Sequence, residues 1–95
     1  REGLPKSLLE AAAVGRAAIT SDVPGCRDVV RDGISGFLVP PRDGKALADA
    51  MLRLGDDPKL RTRMGIAARE RARALFSIDD VARDTFLIYT AALGR

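Results

Sequence analysis

The sequence predicts an α/β fold in which helices alternate with short apolar strands of a parallel sheet. Three observations lead there. Two short runs, residues 17–21 and 36–39, are mostly apolar, contain β-formers and are bounded by Gly and Pro. A Leu/Ala-rich helical segment precedes the first run, and helix-period patterns follow the second. Two strands do not make a stable parallel sheet alone, so these are expected to be the last two of a doubly wound domain whose earlier strands precede Arg1. The chain begins at Arg1 without Met and reads as an excerpt of a longer protein, with residues 1–95 forming the C-terminal part of one domain.

Residues 1–5 read as a loop, and Pro5 suits the first turn of a helix, where its missing N–H is no loss. Residues 6–14 are strong helix formers, and Gly15 is placed to end them in the left-handed conformation. After the first strand, residues 22–25 carry turn chemistry, and residues 26–31 suit one or two helical turns. Asp32-Gly33 is a turn, and Pro40-Pro41 stops the second strand. Three helices are expected next. One is capped by Asp43, with Ala46, Leu47, Ala50, Met51 and Leu54 as its apolar stripe. The next has Asp57 as N-cap and Pro58 behind it, with Leu60, Met64, Ala67 and Ala68 on its inner side. The last starts at Ser77 with Asp80 as an aspartate version of the capping box, and turns Phe86 and Tyr89 toward the core.

Composition excludes several classes. The longest apolar run, residues 86–93, is far shorter than the roughly 18 residues of a membrane span. The chain has one Cys and no His, which leaves no internal disulfide, no His-based triad and no metal centre, and fits a cytoplasmic setting. No metal or cofactor is expected. Net charge is +3, unevenly spread. Lys59, Arg61, Arg63, Arg69, Arg71 and Arg73 stand against Glu70 alone, so residues 59–75 carry +5 and the rest −2. That helix presents either a solvated basic face or a contact for an anionic membrane surface. With no aromatic interleaving, it is not a nucleic-acid site. Cys26 is read as a small buried hydrophobe, and Asp22 and Asp28 as loop or cap residues.

The segment Glu2-Gly3-Leu4-Pro5-Lys6-Ser7-Leu8-Leu9-Glu10 carries the chemistry. Two carboxylates sit eight residues apart, one before a helix and one inside it. Gly3 permits close backbone approach, and the helix N-terminus offers free N–H groups and a partial positive charge, which favour phosphate. Glu10 lies on the face shared with Lys6 and Ser7, where a carboxylate can accept hydrogen bonds from a vicinal diol. These are the parts a sugar nucleotide requires. The spacing alone equally fits a plain helix start: Glu2 would be favourable there for dipole reasons, and Lys6 with Glu10 would form an i,i+4 surface pair.

The stretch EGLPKSLLEAAAVG (residues 2–15) resembles the E-x7-E region of the retaining glycosyltransferases of family 4, which have two Rossmann-like domains in the GT-B arrangement. Residues 16–33, 34–51 and 57–77 resemble, in order, the strand and acidic loop, the next strand and helix, and the closing helices of that family. Ala17 departs from it where many relatives have proline. The resemblance implies that Glu2 approaches hydroxyls of the donor sugar or the distal phosphate and that Gly3 and Leu4 present amides to the diphosphate. It implies that Glu10 binds the ribose hydroxyls, with Lys6 and Ser7 as neighbours at the helix start. The donor would be a nucleotide diphosphosugar. The basic pair for the diphosphate and the acceptor domain, which takes a glycan or lipid-linked acceptor, would lie upstream, so no catalytic residue is assigned here and the chain alone is expected to be inactive.

The implied role is polysaccharide or lipopolysaccharide biosynthesis, in the cytoplasm or peripherally on the inner face of the membrane. The competing readings are another two-domain sugar-nucleotide enzyme, such as an epimerase or a sugar-phosphate synthase, and a non-catalytic module that uses the basic helix. If residues 17–21 pair with a strand upstream of Arg1, the isolated chain has an open sheet edge and is expected to self-associate along it.

Overall fold

The computed structural model describes residues 4–76. Their order is α1 (Lys6–Ala13), β1 (Ala18–Ser21), α2 (Pro24–Val29), β2 (Gly36–Val39), α3 (Gly44–Asp56) and α4 (Pro58–Leu75). The α/β class and the order of elements are those the sequence predicts. The helix expected from Ser77 onward, with Phe86 and Tyr89, lies outside the described residues.

Helix α1 ends as Gly15 requires. Gly15 takes φ +78, its N–H donates to Ala12 O at 2.9 Å, and the Arg16 N–H reaches back to Ala11 O at 3.0 Å. This pair of bonds satisfies the last carbonyls of the helix and turns the chain into β1. Its start differs slightly from expectation: Pro5 occupies the N-cap position and not the first turn, and its carbonyl accepts the N–H of Leu9 at 3.2 Å.

The strands pair in parallel, with Ala18 opposite Gly36 and Ser21 opposite Val39. At Gly36 the backbones approach so closely that a Cβ would stand 2.2 Å from the Ala18 carbonyl oxygen. The two strand edges differ. On β2, Asp32 bridges to Gly36 and its carboxylate accepts the Leu38 N–H at 2.9 Å, so that edge is closed by its own turn. Among the described residues no strand lies beside the other edge of β1.

Helix α2 begins two residues earlier than the sequence suggested, because Pro24 itself takes the first helical position. Helices α3 and α4 are capped as expected. The carboxylates of Asp43 and Asp57 accept the N–H groups of Ala46 and Leu60 at 2.9 and 3.0 Å, each satisfying one otherwise orphaned donor.

Two apolar clusters cover the two faces of the sheet. One joins Leu9, Ala12, Val29, Val30, Ala68 and Ala72, with Ala18 and Leu38 of the strands against it. The other joins Phe37, Val39, Ala50, Leu60 and Met64, with Ile19 and Ala46. Alternate strand residues thus feed opposite layers, as the pleat dictates. Helix α4 belongs to both clusters. It passes from one face to the other beside the Gly15 turn, where a Cβ on Gly65 would lie 2.2 Å from Gly15 O.

Two expectations about helix faces need correction. In α3 the inner residues are Ala46, Ala50 and Leu54, at i, i+4 and i+8. Leu47 and Met51 are 42% and 58% exposed, because a narrow stripe suffices where the helix meets a two-stranded sheet. In α4 the buried side also contains Gly65 and Ala72, while Ala67 is only half-buried. The crossing demands small residues there.

Candidate functional site

Helix α1 ends where β1 begins, so it runs back along the sheet and its N-terminus lies at the carboxyl end of the strands. The starts of α2 and α3 follow the ends of β1 and β2 directly and share that edge. In open α/β sheets, ligands bind in the crevice outside the carboxyl ends of the strands.

Of the six residues singled out from the sequence, Glu2 and Gly3 lie outside the described residues. The other four are at the start of α1. Leu4 is half-buried and packs against the first apolar cluster, so its side chain anchors the loop while its backbone remains at the helix entrance. Lys6 and Ser7 are exposed, and Glu10 is half-buried. The alternative of a Lys6–Glu10 surface pair is not realised: no ion pair joins them.

Among the described residues, the first turn of α1 has no side-chain cap and no acidic residue. The backbone N–H groups of Lys6, Ser7 and Leu8 precede the first helical bond, and a lysine stands where the helix dipole disfavours a cation. A bound anion there would supply both missing elements, an acceptor for the amides and a counter-charge for Lys6. Leu9 and Ala12, buried on the opposite side of the same helix, hold this turn against the core.

The surrounding edge is held by short contacts. Arg27 Nε donates to Asp22 Oδ1 at 2.6 Å across the β1–α2 loop, which places Asp22 in a loop ion pair. Cys26 is half-buried, and the Thr20 hydroxyl donates to its Sγ at 3.3 Å, so it is not the fully enclosed hydrophobe expected. A cleft of about 550 Å³ also opens at this edge on the α3 face, between Thr20, Ser21, Pro40, Arg42 and Leu47. None of the four described donor-site candidates, Leu4, Lys6, Ser7 and Glu10, lines it. Its only local signal was the loop after Pro40-Pro41, in which Arg42 takes φ +62.

The basic helix is less free than its composition suggests. Arg61 Nη1 donates to the carbonyl oxygens of Leu54 and Gly55. Arg71 donates through Nε and Nη2 to Asp28 O at 3.2 and 2.8 Å. These two side chains cap the C-terminal ends of α3 and α2, where carbonyls need donors and the dipole favours a cation. Arg53, on α3, stacks over the Phe37 ring at 4.9 Å. No group of metal-ligating side chains forms among the described residues, and none of their helices is long and apolar enough to cross a membrane.

Residues 1–71 match the family model described as "Glycosyl transferases group 1". The chain belongs to that family. It is 42% identical over 86 residues to the D-inositol 3-phosphate glycosyltransferase of Streptomyces griseus, covering 90% of this chain and 18% of the relative. It is 39% identical over 84 residues to the glycogen synthase of Mycobacterium tuberculosis H37Rv, covering 88% of this chain and 20% of that protein. Among solved structures, the sucrose-phosphate synthase from Thermosynechococcus elongatus superposes with a TM-score of 0.76 at 34% identity, over 96% of this chain and 23% of that one. The chain therefore spans about a fifth of the length of the curated relatives it matches, and its fold is that of a GT-B fragment.

Proposed function

We propose that this chain is the donor-binding part of a retaining family 4 glycosyltransferase, residues 1–95 being the C-terminal part of its nucleotide-sugar domain. The observation that carries the reading is helix α1, whose uncapped, acid-free start lies at the carboxyl edge of the sheet with Glu10 in its second turn. The amides of the first turn hold the diphosphate. The Glu10 carboxylate, with two acceptor oxygens, takes the vicinal hydroxyls of the ribose. Glu2 and Gly3, completing the E-x7-E spacing, approach the donor sugar and the distal phosphate. No metal is required, because helix amides and upstream basic residues neutralise the leaving diphosphate.

The acceptor, a glycan or lipid-linked sugar, binds a domain upstream of this chain, and the product enters polysaccharide biosynthesis. The enzyme works in the cytoplasm, where the exposed Lys59, Arg63 and Ile66 of α4 suit peripheral contact with an anionic membrane.

A transfer assay on the full-length protein, with UDP-, GDP- and ADP-sugars and a lipid-linked acceptor mixture, tests this. The expected result is a glycoside whose anomeric NMR signal has the donor's configuration. Inverted product, or epimerised donor with no transfer, contradicts it.

A further inference from the structure

The α1–α4 crossing bears on the site although Gly65 meets the opposite end of α1 from its start. Gly65 meets the Gly15 turn backbone to backbone: a Cβ there would be 2.2 Å from Gly15 O and 3.1 Å from Gly15 C. Neither partner can give way locally. Gly15 is tied on one side to α1 by the two terminating hydrogen bonds and on the other to β1, which pairs with β2. Gly65 is flanked by Met64, which is 1% exposed and locked in the opposite cluster. From this point α4 runs back along α1, with Ala68 and Ala72 in the same cluster as Ala12 and Leu9, and Leu75, Phe76, Leu4 and Leu8 packed around it. The crossing therefore fixes where α1, a rod of about 12 Å, sits along its whole length, including its start at the carboxyl edge.

We propose that Gly65 is a positioning residue for the donor diphosphate: by admitting the Gly15 carbonyl it sets the position of the α1 N-terminus. The inference rests on the reading of α1 as the donor helix. A methyl group at residue 65 must move the Gly15 turn by about 1 Å to reach an ordinary contact, and losing one charge-assisted hydrogen bond at the helix start by such a shift costs about 10- to 100-fold in affinity.

The test is calorimetric titration of the full-length protein with UDP, GDP and ADP, comparing wild type, Gly65→Ala, Thr62→Ala and Glu10→Ala. Circular dichroism of each variant at the titration temperature separates the two roles, since a merely structural loss raises the apparent dissociation constant only in proportion to the unfolded fraction, while a positioning loss weakens binding by a fully folded variant. For the nucleotide that wild type binds best, Gly65→Ala is expected to raise the dissociation constant about 10- to 100-fold while the variant remains fully folded. Thr62→Ala, at an exposed position on the same helix, is expected to leave it within about twofold, as a substitution outside the site's network should. If Gly65→Ala does not fold, Ala72→Val over-packs the same interface further toward the α1 start and carries the same expectation. An unchanged dissociation constant in the folded variant overturns the inference while leaving the donor reading intact. No binding by wild type, or unchanged binding by Glu10→Ala, removes the donor reading and this inference together.

Discussion

Replacing Gly36 by Ala tests the strand pairing that places the carboxyl edge. Gly36 sits at φ +155, and an added Cβ would stand 2.2 Å from Ala18 O and 3.0 Å from Val30 Cγ1. Over-packing of a tight contact costs about 1–3 kcal/mol, and backbone strain at a conformation nearly exclusive to glycine adds about 1–3. The stiffer unfolded chain returns about 0.4–1 kcal/mol. The net expectation is a loss of about 3 kcal/mol, roughly two powers of ten in the folding equilibrium. Gly33→Ala is the internal control. It shares the positive φ, +79, but has nothing within 4 Å, so only the left-handed strain applies and the loss should be about 1 kcal/mol. Urea unfolding followed by circular dichroism measures both. With a slope of about 1 kcal/mol/M, the midpoints should fall by about 3 M and 1 M. Equal midpoints for the two variants would refute the close approach of β1 and β2.

Met64→Ala should destabilise by about 2–5 kcal/mol, because the most enclosed large side chain of the second cluster leaves a cavity at the α4 crossing; a urea midpoint within error of wild type contradicts that packing. Asp57→Ala should cost about 1 kcal/mol through loss of the bond to the Leu60 N–H, and Asp57→Asn should recover most of it in the same measurement. The 95-residue chain on its own should self-associate through β1, which among the described residues has no strand on its outer side, while the outer edge of β2 is closed by Asp32; a light-scattering mass of one chain at millimolar concentration counts against this.

What the sequence disclosed follows from which signals are local. Asp43 and Asp57 announced their caps, Gly15 announced its helix end, and the two apolar runs announced strands, because each rests on chemistry within a few residues. The faces of α3 and α4 were harder to read. The stripe of α3 includes Leu47 and Met51, yet periodicity cannot say how wide a surface the helix will meet. The small residues Gly65 and Ala72 carry little hydrophobic signal, although their smallness is what lets α4 cross α1. The roles of Arg61 and Arg71 were hidden for the same reason: their partners are carbonyls, which every residue has, and only the fold brings Arg71 to Asp28, forty-three residues away. At the site, the pattern of Glu2, Lys6 and Glu10 was visible as spacing. The position of Lys6 and Glu10 at the carboxyl edge came from the parallel pairing of two strands, which no single segment encodes.

The most direct measurement of the central claim is ligand-observed NMR of nucleoside diphosphates and their sugar conjugates against this protein, with Glu10→Ala beside wild type. Helix α1 as a donor site predicts that one nucleotide binds and that loss of the Glu10 carboxylate weakens it about tenfold or more, the cost of leaving the ribose hydroxyls unpaired. Equal binding by wild type and Glu10→Ala would contradict it.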